Sequence, residues 1–314
     1  MSSIALRRAL APPLHLASFL SGHALRRARS VRRPRILMYH SVGHEDVSIR
    51  QFRWQLRLLR SSFDVVSLPR LIDRLVAGTA NGEEVVLTFD DGVRNHYSVV
   101  WPLLREARVP ATFFVCPGLI ESGAWLWNTE LRTRLSLLGR SERARIAARA
   151  GCPNASDHGM VEWAKRLPLD RRREFEEQAR AATRQFEPTA TQLDRNAPMS
   201  WVQLKRLDPA LVTIGSHTST HPILTTLTRD VLDAEIAESR ILLEQHLGRS
   251  VDLFCYPNGA NDATTRDAVR NVFRAALSTR QDVVTGAADL FALPRVPAGH
   301  RNSYFVRRLH RPAA

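Results

Sequence analysis

Two adjacent carboxylates, Asp90 and Asp91, end the stretch EEVVLTFDD. Neighbouring acids repel each other, so keeping both at the end of a buried strand is costly unless a cation or a role in proton transfer retains them. The next residue, Gly92, permits a simpler interpretation, because an Asp-Gly pair is also typical of an ordinary turn. This stretch alone leaves a turn and an active site both open.

Two histidines stand four residues apart in TIGSHTSTHP, directly after another apolar run. On one helical turn this spacing puts His217 and His221 on the same side, which suits a divalent metal ion. An isolated pair of this kind is more often coincidence. With one strand-end aspartate added, three protein ligands leave one position open for water, as in catalytic metal sites. The other aspartate can then act as the base for that water.

A third histidine, His40, ends the apolar run RILMY near the start of the chain. An imidazole at the exit of a strand either completes local packing or faces a functional site. The run itself leaves both interpretations open.

The elements that carry these residues alternate between short apolar runs and helix-like stretches. The strand candidates are Arg35 to Tyr39, Phe63 to Ser67, Glu84 to Phe89, Ala111 to Cys116, Val212 to Ser216, Leu253 to Tyr256 and Ala275 to Ser278. Helical patterning lies between them, for example at Gln51 to Ser61 and Asp230 to Leu247. Such alternation predicts an α/β fold with a mainly parallel sheet that can close into a barrel. Residues 118–200 contain no strand candidate, and we predict a helical insertion there.

Composition and charge narrow the class of protein. The chain has 314 residues, of which 44% are hydrophobic and 24% charged, as in soluble globular proteins. Its three cysteines are too few and too widely spaced for a disulfide framework or a zinc finger. The net charge is +14, and residues 1–35 contain no acid but eight arginines: Arg7, Arg8, Arg26, Arg27, Arg29, Arg32, Arg33 and Arg35.

The arginines predict a basic N-terminal segment, residues 1–33, that contacts an anionic membrane surface. A cytoplasmic or peripheral membrane location follows from this interpretation. A cleaved signal peptide and an exported protein are the alternative, although the apolar stretch between the arginines is weak as a signal. The arginines lack interleaved aromatic residues, so charge predicts no specific recognition of nucleic acid.

The motifs TFDDG, SHTSTHP and FCYPNG, in this order, resemble those of the polysaccharide deacetylases, the NodB-homology or carbohydrate esterase family-four enzymes. The resemblance implies a distorted (β/α)7 barrel over residues 34–310, interrupted by the helical insertion. It also implies a hydrolase of non-peptide carbon–nitrogen bonds that removes N-acetyl groups from a bacterial polysaccharide or a lipid-linked glycan.

The resemblance assigns a role to each motif residue. Asp91, His217 and His221 would hold a divalent metal ion, with zinc expected and cobalt or nickel also compatible with the donor set. Asp90 would be the general base. The backbone N–H of Tyr256, together with the metal, would stabilise the oxyanion formed when water attacks the acetyl carbonyl.

The sequence departs from the family pattern at two places. Where the third motif often has an arginine that orients the base, this chain has Cys255, and we expect Arg295 in LPRVP, after the last strand, to replace that arginine. A surface salt bridge is the alternative role of Arg295. The usual C-terminal Leu-x-His, the source of the general acid, is absent.

In a branch resembling the poly-N-acetylglucosamine deacetylases of biofilm systems, the acid stands on an N-terminal strand, as if the barrel were circularly permuted. The stretch ILMYHSV, followed by QFRWQLRLLR, matches that arrangement and predicts His40 as the acid. First and last strands are neighbours in a closed barrel, so either terminus can reach the site. A non-catalytic carbohydrate-binding protein on a degenerate barrel remains the competing function, favoured only by the missing arginine of the third motif.

Overall fold

The computed structural model describes residues 15–43, 47–299 and 301–311, so Arg7 and Arg8 of the basic segment lie outside the described residues. The strands within this part are β1 Arg35–Tyr39, β2 Asp64–Val65, β3 Glu84–Phe89, β4 Ala111–Val115, β5 Val212–Ser216, β6 Leu253–Cys255, β7 Ala275–Gln281 and β8 Leu293–Pro297. The α-helices are α1 His23–Ser30, α2 Ile49–Ser62, α3 Leu68–Val76, α4 Trp101–Ala107, α5 Pro117–Ser122, α6 Trp127–Leu137, α7 Arg140–Ala150, α8 Asp157–Ala164, α9 Leu169–Ala182, α10 Ala190–Asn196, α11 Trp201–Lys205, α12 Arg229–Leu247, α13 Ala263–Arg270 and α14 Asn302–Arg308.

Seven parallel strands close into a barrel, as the sequence predicts. Strands β3 to β8 pair in chain order, and β1 joins the two ends of this row because it pairs with both β3 and β8. The short β2 pairs only with the beginning of β3, through Asp64 opposite Glu84, and lies outside the ring. All of these pairings are parallel, so the carboxyl ends of the strands meet at one end of the barrel.

The identity of one ring strand differs from the sequence expectation. The candidate Phe63 to Ser67 forms only the two-residue β2, whereas the seventh ring strand is the unpredicted β8. Arg295 therefore lies inside a strand and not after the last one. Two prolines and a central arginine hid β8, because proline and charge both argue against a buried strand.

Alternate residues of the strands enter two different hydrophobic clusters. Leu37 and Leu87 belong to a large cluster that includes Phe52 of α2 and Ile236 of α12, so this strand face packs on the surrounding helices. The opposite face forms a second cluster with residues of α3: Ile36, Val86, Phe114, Leu253, Leu277 and Leu293, with Leu68, Leu71 and Ile72. Both faces of the sheet are thus buried, as expected of a parallel barrel.

The insertion between β4 and β5 is helical and has a hydrophobic cluster of its own. Helices α5 to α10 fall within or begin just before residues 118–200. Leu131, Ala147, Val161 and Phe175, from four of these helices, are among the buried members of the separate cluster. The insertion is therefore a packed subdomain on the strand-end side of β4 and not a loose loop.

The described part of the basic N-terminal segment packs on the barrel. Ala24 and Ala28 of α1 are buried, and the buried guanidinium of Arg35 donates to the carbonyls of Ala28, Val31 and Leu309. The described arginines of the segment itself are exposed: Arg26, Arg27, Arg29, Arg32 and Arg33. Among the described residues, no helix is both long and apolar enough to span a bilayer.

Candidate active site

The register of the barrel brings the first two motifs and His40 to the same end. Tyr39 lies opposite Phe89, so the next residues along the chain, His40 and Asp90, leave neighbouring strands side by side. The backbone N–H of Asp90 donates to the carbonyl of Tyr39 at 3.0 Å and extends this pairing by one residue. Two strands further around the ring from β3, β5 ends at Ser216, and the histidine motif follows.

Asp90 is held inside the barrel by Arg295. The guanidinium donates from Nη1 to Oδ1 and from Nη2 to Oδ2, each at 2.7 Å, while its Nε donates to the carbonyl of Ser278. Arg295 is fully buried and Asp90 is 3% exposed. Burial alone would raise the pKa of Asp90, but the charge and hydrogen bonds of Arg295 outweigh it and hold the pKa below its usual range.

Asp91, His217 and His221 form a cluster with the donor atoms of a metal site. Asp91 Oδ1 lies 3.6 Å from the Nε2 atoms of both histidines, and the three ligand atoms lie within 4.8 Å of one another. His217 Nδ1 donates to the carbonyl of Cys255 at 2.6 Å, which leaves the lone pair on Nε2 to face Asp91. Two imidazole nitrogens and one carboxylate oxygen on this side fit a divalent ion such as zinc.

The two histidines of the cluster have opposite pKa shifts. Burial, and next the charge of His217, lowers the pKa of His221 to about 3, so His221 is neutral at pH 7, as a ligand must be. Burial alone would lower the pKa of His217, but the surrounding negative groups, Asp91 among them, raise it.

The backbone is strained around the candidate ligands. Asp91, Thr218 and His221 all have a left-handed conformation, with φ of 81°, 66° and 61°. Such conformations cost about 1–3 kcal/mol each for non-glycine residues and persist only where the surroundings fix them. Gly92 also has a positive φ, and a Cβ there would lie 2.7 Å from a methyl carbon of Val115, so only glycine fits after the two acids.

The segment from His217 to His221 is fixed by contacts with the residues directly after β4. Cys116 Sγ donates to the carbonyl of His217, and the backbone N–H of Gly118 donates to the carbonyl of Ser219 at 3.0 Å. A Cβ on Gly118 would approach Ser219 Oγ to 2.6 Å, so this close approach also requires glycine. The start of the insertion is thus fitted directly against the histidine motif.

His40 lies at the same end of the barrel but is exposed. It directly follows Tyr39, which lies opposite Phe89, the residue before the two acids. The structure therefore places His40 beside the two acids, with its side chain open to solvent. A strand-end residue with this exposure can exchange protons with water and with a bound substrate.

Two residues missed by the sequence reasoning clamp the backbone around His40. The ring of buried His96 donates from Nε2 to the carbonyl of His40, and burial lowers the pKa of His96 to about 4, so the ring is neutral. Asn95 accepts from the N–H of Val42 and donates to its carbonyl, each at 3.0 Å. Asn95 and His96 thereby link the segment after β1 to the segment that follows Asp90 and Asp91. No local sequence signal indicates these contacts.

The prediction that the N–H of Tyr256 stabilises an oxyanion is wrong. That N–H donates to the carbonyl of Leu277 at 3.1 Å, and the phenol donates to the carbonyl of Phe291, so Tyr256 is a buried structural residue. Pro257 has no N–H. Asn258, with φ of 53°, is the first residue after β6 whose backbone N–H has no partner within the described part of the chain.

Cys255 occupies the position of the missing arginine without replacing its charge. Its thiol lies 3.7 Å from Asp90 Oδ1, and burial raises the pKa of the thiol, so it is neutral. Asp90, His217 and Cys255 also have ligand atoms within 4.8 Å of one another. Because Arg295 already binds both oxygens of Asp90, the set with Asp91 is the better metal site.

The comparisons with known proteins concern the family and the fold. The sequence model of the family described as polysaccharide deacetylase matches residues 77–160 and 178–273, more than half of the chain. No curated protein matches the chain in sequence. The matched residues include Asp90, Asp91, His217 and His221 but neither His40 nor Arg295.

Several solved deacetylases share the fold. The deacetylase PplD of Streptococcus pyogenes, solved with acetate, is 19% identical with a TM-score of 0.61, and the alignment covers 90% of this chain and 98% of PplD. IcaB of Ammonifex degensii is 20% identical with a TM-score of 0.57, covering 88% and 97%. The deacetylase domain of BpsB from Bordetella bronchiseptica is 17% identical with a TM-score of 0.56, covering 84% and 94%.

The barrel and its site define a carbohydrate de-N-acetylase of the NodB type. The chain belongs to the polysaccharide deacetylase family and is a hydrolase.

Proposed function

We propose that this protein is a metal-dependent hydrolase that removes N-acetyl groups from a bacterial polysaccharide or a lipid-linked glycan. The observation that carries the proposal is the different surroundings of two adjacent acids. Asp90 is bound at both oxygens by Arg295, whereas Asp91 faces the Nε2 atoms of His217 and His221. Adjacent carboxylates in different surroundings can take different chemical roles.

A divalent ion held by Asp91, His217 and His221, with zinc expected and cobalt or nickel compatible, would polarise the acetyl carbonyl and lower the pKa of water. Asp90 accepts a proton from the attacking water, and Arg295 keeps Asp90 ionised and aligned for this step. His40 donates a proton to the leaving nitrogen. Amide and water thus give a free amine and acetate.

The developing oxyanion needs a backbone donor other than Tyr256. We assign this donor to the N–H of Asn258, because it follows directly after the turn that begins at Cys255, whose carbonyl accepts from His217. A free N–H in a rigid turn is the usual source of oxyanion stabilisation. The acetate present with PplD, the acid product of such a reaction, supports an N-acetyl substrate.

The decisive experiment measures acetate released from N-acetylglucosamine oligomers by the purified protein loaded with Zn²⁺ or Co²⁺. Asp90→Asn and His217→Ala should each lower release by at least about 100-fold. His158→Ala, which removes an exposed histidine of the insertion, should release acetate at the wild-type rate. Equal release by all four proteins would exclude the proposed site, and a wild type that binds these oligomers without releasing acetate would favour the carbohydrate-binding alternative.

We also propose that the basic N-terminal segment contacts an anionic membrane, which gives the protein a cytoplasmic or peripheral membrane location. The exposed arginines on α1 support this proposal, because polybasic surfaces bind anionic lipids. Sedimentation with phosphatidylglycerol vesicles tests it. The full chain should bind, a variant with Arg26, Arg27 and Arg29 changed to glutamine should bind less, and equal binding to neutral phosphatidylcholine vesicles would contradict the proposal.

A further inference from the structure

The hydrophobic cluster of the helical insertion includes a residue that lies directly after the histidine motif. Ile223, two residues after His221, is buried in the same hydrophobic cluster as the insertion residues Trp127 and Phe175. The other members of this cluster that are buried come from residues 127–179. The insertion and the segment after the candidate ligand are therefore one packed unit.

Trp127 makes the direct connection between the insertion and the ligand. Its indole Nε1 donates to the backbone carbonyl of His221 at 3.1 Å, and the residue is only 5% exposed. The guanidinium of Arg172 lies 4.4 Å from the centre of the indole ring, and Glu176 holds that guanidinium in place with a contact of 2.9 Å. Arg172 thus holds the face of the Trp127 ring, while the indole N–H binds the carbonyl of His221.

The carbonyl that Trp127 binds belongs to a strained peptide. His221 has a left-handed φ of 61°, and its N–H donates to Thr218 Oγ1 at 2.9 Å. A buried backbone carbonyl requires a donor, and a left-handed residue followed by Pro222 has few ways to find one in its own segment. The indole N–H supplies the donor from a residue 94 positions earlier in the chain.

We infer that Trp127 is a positioning residue of the metal site, which fixes the orientation of His221 through its carbonyl and makes the helical insertion a part of the metal centre. The inference rests on the proposed function, because it concerns the same three ligands. Outer partners that orient a ligand commonly change metal affinity by about 10–100-fold when they are lost. Removing the indole N–H should therefore weaken metal binding while the protein still folds.

The substitution Trp127→Phe separates positioning from packing. Phenylalanine keeps an aromatic ring next to Arg172 but has no N–H to donate. The matched control is Trp163→Phe in the same cluster, where the indole packs on Phe175 at 5.3 Å and makes no hydrogen bond within the described residues. Both variants make the same Trp-to-Phe change within the insertion, at a buried position for Trp127 and a half-buried position for Trp163.

The readout is the dissociation constant for Co²⁺, measured by visible absorption during titration of the metal-free full chain, with thermal unfolding of the metal-free forms alongside. Trp127→Phe should raise the constant about tenfold or more, whereas Trp163→Phe leaves it unchanged. Equal constants for the two variants would refute the role of Trp127 and leave the proposed function intact. A wild type that does not bind Co²⁺ would instead refute the metal site itself.

A second measurement uses the wild-type protein, in case Trp127→Phe does not fold. The ¹⁵N–¹H indole resonances of the tryptophans are recorded with and without Zn²⁺. The Trp127 resonance should shift and exchange more slowly on metal binding, while that of Trp163 stays in place. A Trp127 resonance that does not respond to Zn²⁺ would overturn the inference.

Discussion

The base side and the acid side of the proposed site are built differently. Asp90 is 3% exposed, and both of its oxygens accept hydrogen bonds from the fully buried Arg295. The His40 side chain is exposed and makes no hydrogen bond within the part of the chain that the structure describes. The base is thus fixed by a buried ion pair, whereas the acid is positioned only through its backbone.

The difference follows from the task of each group. A base must stay ionised and aligned, and a buried arginine achieves both because it cannot lose its charge at ordinary pH. An acid must reach the leaving nitrogen and recover its proton from water, so exposure suits it. Damage on the base side should therefore affect both fold and activity, and damage on the acid side activity alone.

The largest effect is expected for Arg295→Met. Methionine leaves Asp90 as a buried carboxylate without a partner, which costs about 3–5 kcal/mol in free energy of unfolding. The rate of acetate release should fall at least about 100-fold, because the base is no longer aligned. Chemical denaturation and the acetate assay measure the two effects.

A double variant provides the control for this prediction. Arg295→Met combined with Asp90→Asn removes the unpaired charge, so the free energy of unfolding should recover in large part while activity stays lost. A double variant no more stable than Arg295→Met alone would show that the arginine acts by packing and not by its charge.

The second-largest effect is expected for His40→Ala. The loss of a general acid should lower kcat by about 100-fold or more. Metal content and melting temperature should match those of the wild type, because the side chain is exposed and makes no hydrogen bond within the described chain. His158→Ala serves again as the control, and a loss of bound metal in His40→Ala would instead identify His40 as a ligand or a packing residue.

A smaller effect is expected for His96→Phe, which tests how the acid is positioned. Phenylalanine preserves the ring contacts with Phe89 and Phe113 but removes the donor to the carbonyl of His40. The net contribution of one hydrogen bond is about 0.5–1.5 kcal/mol, so kcat should fall roughly tenfold at most. KM and metal content should not change, and an unchanged kcat would show that the backbone of His40 is held without His96.

Much of this organisation can be predicted from the sequence, for a simple reason. Parallel strands place their carboxyl ends together, so strand-end motifs such as those at Asp90 and His217 must meet once the alternation of strands and helices is recognised. The barrel itself is confirmed. Each of the seven predicted runs except Phe63 to Ser67 is a strand of the ring.

The features that the sequence did not reveal depend on contacts between distant residues. Strand β8 has no apolar periodicity, and its buried Arg295 makes sense only beside Asp90, 205 residues away. The bond from Trp127 to His221 and the bonds from Asn95 and His96 to the segment after β1 also join separate motifs. Local patterns predict elements, but they carry no information on such pairings.

The smallest effect is expected for Cys255→Ala, at the position where the family pattern has an arginine. The thiol is neutral and lies 3.7 Å from Asp90 Oδ1, whereas Arg295 supplies two charged hydrogen bonds at 2.7 Å to the same carboxylate. Arg295 should therefore hold the base without help, and acetate release should stay within about threefold of wild type. The loss of stability should be about 1 kcal/mol, from the small cavity alone.

The control is Cys152→Ala, at a buried cysteine of the insertion. It measures how much stability is lost when a buried thiol away from the site is removed. Similar stability and activity in both variants would show that the base side depends on β8 alone. A tenfold fall in acetate release for Cys255→Ala only would place the thiol among the groups that align Asp90. The base would then be held from two strands, and the contrast with the backbone-held His40 would be greater still.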